Sequence, residues 1–120
     1  MRIWHKKLIP HLCRNHLLAV WRDSLGAYAI ITQNKRGYHN HPAVKEFEYC
    51  PEILYGRLYI IRLEMIKRGY HPKEMPPIHK SSSVGITEKE LLIKEWQTLE
   101  EQIEILGGKK CRCEVDKIKI

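Results

Sequence analysis

Three runs of the chain place apolar residues three and four positions apart, the repeat of one helix face. In the first, Leu17, Trp21, Leu25, Tyr28 and Ile31 share a stripe. It predicts a helix from about Leu12 to about Gln33, with Pro10 just before its start and Gly37 beyond its end. In the second, Leu54, Leu58, Ile61 and Met65 make one face of a helix from Pro51 to Arg68. Pro51 suits the first turn, where its missing N–H costs nothing. Lys67 and Arg68 suit the last turn, and Gly69 follows as a helix-ending residue. The third stripe is Leu92, Trp96, Leu99, Ile103 and Leu106, predicting a helix from Glu88 to Leu106. Thr87 with Glu90 has the spacing of a capping box, and Gly107 and Gly108 close the run.

The connections differ in character. Residues 35–42 are basic and aromatic, ending in Pro42. The stretch holding Pro72, Pro76, Pro77 and Ser81 to Ser83 is long for a compact helical domain and is expected to wrap the surface. In the tail, residues 109–120, Val115, Ile118 and Ile120 fit a short extended segment. A chain of 120 residues with 43% apolar composition fits one domain, spanning 1–120, with its own core. No apolar run nears the roughly 20 residues that cross a bilayer, and Lys6, Lys7 and Pro10 interrupt any signal-peptide core. The expectation is a cytoplasmic protein, nucleoid-associated in a prokaryote, without membrane partners.

Charge narrows the class of partner. The net charge is +7, and its distribution is uneven. Residues 1–80 hold 14 Lys and Arg against 6 Asp and Glu, together with all seven His, whereas residues 81–120 hold 7 against 8. A basic face of this kind suits a polyanion, most simply nucleic acid. A merely soluble basic protein would show the same balance. The four cysteines are Cys13, Cys50, Cys111 and Cys113. Cys111-Arg112-Cys113 is not a Cys-x-x-Cys pair and has no companion, so spacing predicts no metal and no cofactor. Cys13 and Cys50 read as small core groups.

The first helix carries the candidate chemistry. His16 and Asp23 are two turns apart and share a face, with the small residues Ala19 and Gly26 on nearly the same stripe. Small residues there admit the close approach of another segment, and the chain's own start is the nearest. Arg22 lies at the edge of the stripe. A solvated helix face beside a frayed terminus has the same spacing. Lys35, Arg36, Tyr38, His39, Asn40 and His41 could hold phosphates or stack on a base; they also fit an ordinary solvated loop. Lys67 and Arg68 suit DNA contact or a helix-dipole cap.

Five blocks, in order, resemble the pyrimidine-dimer DNA glycosylases with AP-lyase activity, the family of phage endonuclease V and its shorter cellular relatives. They are Met1-Arg2-Ile3-Trp4, Asn15 to Leu25 (NHLLAVWRDSL), residues 35–42 (KRGYHNHP), residues 64–70 (EMIKRGY) and residues 87–96 (TEKELLIKEW). The resemblance covers residues 1 to about 106. It implies an all-α fold with the extended N-terminus threaded between three helices. It also implies attack by an N-terminal α-amine on C1′ of the damaged nucleotide, displacement of the base, an imine and strand cleavage by β-elimination. The amine maps onto Met1, the carboxylate onto Asp23, the supporting cations onto Arg2 and Arg22, and a helix-one histidine onto His16. The implied partner is damaged double-stranded DNA, bound by a monomer through the basic loop, Lys67 and Arg68.

The chemistry is consistent with such a nucleophile. At pH 7 roughly 10–20% of an α-amine is neutral and able to attack, against about 0.04% of a lysine. The chain departs from the family where Asp23 stands in place of the usual Glu. The carboxylate reaches about 1–1.5 Å less, a misplacement that can cost ~10²-fold in rate. Arg2 is a poor context for methionine removal, so Met1 is expected to stay. A non-catalytic DNA-binding module with the same fold, and a small helical interaction protein using the acidic third helix, remain the alternatives.

Overall fold

A computed structural model describes residues 2–33, 41–48, 50–78, 97–108 and 113. Every regular element among them is helical. An extended segment, residues 2–5, leads into a short 3-10 helix, Lys6–His11. The helices are α1 (Arg14–Gln33), α2 (Pro42–Phe47), α3 (Pro51–Lys67) and α4 (Leu99–Gly107).

Each boundary has a local cause. The His5 ring accepts from Lys7 N–H at 3.1 Å and caps the 3-10 helix. The first α1 bond runs from Leu17 N–H to the Cys13 carbonyl at 2.9 Å, so α1 starts two residues later than its stripe predicts. Pro42 and Pro51 open α2 and α3, as the absent N–H allows. At the end of α3, Gly69 takes φ +87° while Gly69 N–H bonds Ile66 O and Tyr70 N–H bonds Met65 O, both at 2.9 Å. These two bonds satisfy carbonyls that the last turn would otherwise leave open.

The core forms chiefly where α1 packs on α3, with α2 against that pair and the 3-10 helix against α3. Leu17, Val20, Trp21, Ala27 and Tyr28 of α1 meet Leu54, Leu58, Ile61 and Met65 of α3, and Leu106 of α4 joins them. Leu25 and Ile31, predicted on the α1 stripe, are half-buried at its edge. The Tyr28 hydroxyl donates to Pro77 O at 2.8 Å, which lays the proline-rich connection along α1.

Two expectations change. A short helix, α2, stands where only a connection was predicted. The third predicted helix does not run unbroken from Glu88 to Leu106. Thr98 is extended (φ −68°, ψ 164°), and its hydroxyl accepts from Glu101 N–H at 3.1 Å, so α4 begins at Leu99. The working Thr-x-x-Glu cap is therefore Thr98 with Glu101. Thr87, Glu90 and the rest of that expected helix to Trp96 lie outside the described residues, as do Val115, Ile118 and Ile120 of the tail.

The N-terminal segment passes between helices as expected. Ile3 and Trp4 are 6% and 3% exposed, members of the core rather than a frayed end. An extended strand with no sheet partner must satisfy its backbone elsewhere, and here side chains of three helices supply the partners.

Candidate functional site

Asp23 of α1 accepts the Arg2 backbone N–H at 3.2 Å through Oδ2. Arg57 of α3 donates from its guanidinium to the Trp4 carbonyl at 2.8 Å. Gln102 of α4 accepts the His5 N–H at 2.7 Å through Oε1, and its amide nitrogen donates to Gln97 O at 3.1 Å. Backbone groups of residues 2, 4 and 5 are thus clamped by three helices in turn. The three bonds are part-buried beside the buried Ile3 and Trp4, which lowers the local dielectric and strengthens them electrostatically.

The segment runs antiparallel to α1. Arg2 meets Asp23 near the middle of the helix, while Trp4 meets His16 near its start, the two rings edge-to-face at 82° with centroids 6.2 Å apart. The shared face predicted for His16 and Asp23 is thus the face that receives the N-terminus. Gly26 plays no such part: among the described residues nothing lies within 4 Å of a Cβ built there.

The Arg2 guanidinium bonds Gln97 Oε1 and stands 5.1 Å from the centre of the Trp4 ring. Burial pushes its pKa below the ordinary arginine value, and the ring's π-face offers the cation partial compensation. Arg22 is exposed on the neighbouring helix position. Asp23 is half-buried, with one oxygen committed to the Arg2 amide. His16 turns Nδ1 toward two sulfurs, Cys13 Sγ and Cys113 Sγ, each at 3.2 Å. Cys13, expected as a small core group, is half-buried in this cluster, whereas Cys50 is in the core at 2% exposure.

The remaining predicted contacts divide. Met1, Lys35, Arg36, Tyr38, His39 and Asn40 lie outside the described residues. His41 caps α2, its Nδ1 accepting from Ala43 N–H at 3.1 Å. Lys67 is exposed in the last turn of α3. Arg68 donates to Glu64 at 3.3 Å and to Pro10 O at 3.1 Å, so it ties the end of α3 to the 3-10 helix.

Residues 1–76 match the protein family described as pyrimidine dimer DNA glycosylase. The chain belongs to that family. No curated protein and no solved structure matches it. The family match takes in the N-terminal segment, α1 with His16, Arg22 and Asp23, and α2 and α3. The glutamines that complete the clamp, Gln97 and Gln102, lie beyond it, as does Cys113. Sequence reasoning missed Arg57, Gln97 and Gln102. Arg57 sits beside an apolar stripe like any surface cation. Gln102 is 8% exposed on a face its polarity would send to water. Among the described residues no helix is long and apolar enough to cross a membrane.

Proposed function

We propose that the protein excises damaged pyrimidines from duplex DNA through the α-amine of Met1 and then cleaves the strand as an AP lyase. The observation that carries this reading is the 3.2 Å bond from the Arg2 N–H to Asp23. Covalent geometry keeps an α-nitrogen of Met1 within about 3.6 Å of the Arg2 nitrogen. A clamped segment with Ile3 and Trp4 buried thus brings the Arg2 amide to a carboxylate on α1, in a chain of the glycosylase family, and this supports an amine of Met1 acting beside Asp23.

In this reading the neutral amine attacks C1′, and the bond from C1′ to the base breaks with its electron pair leaving on the base, which takes up a proton. Loss of a proton from nitrogen and opening of the sugar at O4′, which gains one, give the C1′ imine. Removal of a C2′ proton then expels the 3′ phosphate, and water hydrolyses the imine to free the amine. Asp23 stabilises the cationic character at C1′ and accepts protons. Arg2 and Arg22 grip the flanking phosphates and, as neighbouring cations, keep the amine less protonated. His16 supports Trp4 and through it the clamped segment. Reaching C1′ requires the duplex to be distorted and the nucleotide extruded. The loop of Lys35, Arg36, Tyr38, His39, Asn40 and His41 holds the displaced strand or its phosphates. Lys67 adds a phosphate contact, and Arg68 fixes the helix end that presents it. The protein acts as a monomer wherever duplex DNA is present, and the imine route needs no cofactor.

The test is borohydride trapping on abasic and dimer-containing duplexes with untagged protein whose Met1 start is verified by mass. A covalent adduct is expected, and acetylating the terminus should abolish it. Asp23→Asn keeps an acceptor for the Arg2 amide but removes the charge, and should lower turnover about 10²–10⁴-fold with DNA binding retained. No adduct from an intact terminus would overturn the reading. Salt-sensitive DNA binding without an adduct would then identify a non-catalytic module, and no DNA binding at low salt an interaction protein.

A further inference from the structure

We propose that Cys13, His16 and Cys113 form a three-ligand site for a zinc-class cation, with water in the fourth position, which pins the C-terminal part of the chain to the start of α1. The inference does not rest on the glycosylase reading, though the two share His16. The three ligand atoms, two Sγ and one Nδ1, lie within 4.8 Å of one another. His16 Nδ1 is 3.2 Å from each sulfur. Around a tetrahedral zinc, with bonds of about 2.3 Å to sulfur and 2.0–2.1 Å to nitrogen, ligand atoms stand roughly 3.6–3.8 Å apart. Small side-chain rotations bring this cluster to that spacing. Thiolate with imidazole is a soft set that favours zinc over magnesium or calcium, which take oxygen.

The surroundings suit bound thiolates. The Cys13 backbone N–H donates to Cys113 Sγ at 3.0 Å, a bond that supports negative charge on sulfur. Cys13 directly precedes α1, whose first turn carries no acidic residue to offset the positive end of the helix there. The Trp4 ring packs edge-to-face on His16 and fixes its orientation. Spacing could not reveal the set, because 97 residues separate His16 from Cys113. Cys13-x-x-His16 supplies two of the ligands, and the third, Cys113, comes from a part of the chain beyond the family match.

The experiment uses the full-length, reduced protein and titrates it with cobalt(II), then displaces cobalt with zinc. One equivalent should bind, giving the visible bands of tetrahedral coordination and the near-ultraviolet absorption of cobalt–thiolate bonds. Cys13→Ser, His16→Gln and Cys113→Ser should each weaken binding at least tenfold, and Cys50→Ala should leave it unchanged. Zinc should raise the thermal midpoint of the wild type and of Cys50→Ala but not of Cys113→Ser. Because the wild-type titration itself is a readout, a variant that fails to fold does not shield the proposal. No stoichiometric binding by the folded, reduced wild type would overturn it, as would tetrahedral thiolate bands that persist at full strength in both Cys13→Ser and Cys113→Ser.

Discussion

Asp23 does more than occupy a helix face. It is a half-buried acceptor whose Oδ2 bonds the Arg2 amide of an extended segment arriving from outside the helix, so its oxygen has a structural part beside its charge. Its neighbour Ser24 shows the opposite economy. That residue is fully buried, and its hydroxyl has no hydrogen-bond partner among the described residues. An unsatisfied buried hydroxyl carries its desolvation cost without a compensating bond. Ser24→Ala should therefore leave stability unchanged or raise it by up to about 1 kcal/mol, read as a higher urea midpoint with an unaltered slope. A loss of more than that amount would mean that the hydroxyl has a partner in solution. None of this was legible from the residue types, because Ser24 sits in a stripe where a small polar residue suits solvent equally well.

Helices were the most legible level. Stripes of apolar residues announced α1 and α3 to within two residues, since a helix buried on one face must repeat at its own period. The same signal misled between Trp96 and Leu99. A stripe records which face is apolar, not whether the backbone is continuous, so it ran through the extended Thr98 that opens α4. Gly69 was legible for a backbone reason: the left-handed conformation there costs a residue with a Cβ, while among the described residues no atom lies within 4 Å of a built Cβ. Gly69→Ala should destabilise by about 1 kcal/mol from backbone strain alone, with the native far-ultraviolet spectrum kept. Chemical unfolding at equilibrium checks it, and an unchanged midpoint would refute the left-handed cap.

For the molecule as a whole, the N-terminal segment is a structural member as much as a candidate nucleophile. Trp4 contacts the Arg2 guanidinium, the His16 ring and, through its carbonyl, Arg57. Trp4→Ala should cost about 3–5 kcal/mol, a large share of the roughly 5–15 kcal/mol that holds a typical domain together. Urea unfolding followed by circular dichroism measures the loss. A change under about 1 kcal/mol would show that the segment rests on the surface rather than in the core.

The sequence by itself determined the helical class, the faces of α1 and α3 and the family, because periodicity, capping residues and ordered motifs are local. It also singled out Asp23, since a carboxylate on a small-residue stripe is readable within one helix, and Arg2 through its place in the first block that resembles the family. Only the tertiary structure decided that Arg57 and Gln102 clamp the N-terminal backbone and that His16 faces Cys13 and Cys113. Apart from Cys13, three positions from His16, those partners are separated by 53 to 97 positions. Contacts at such separations follow from packing whole helices against one another, which no local pattern encodes.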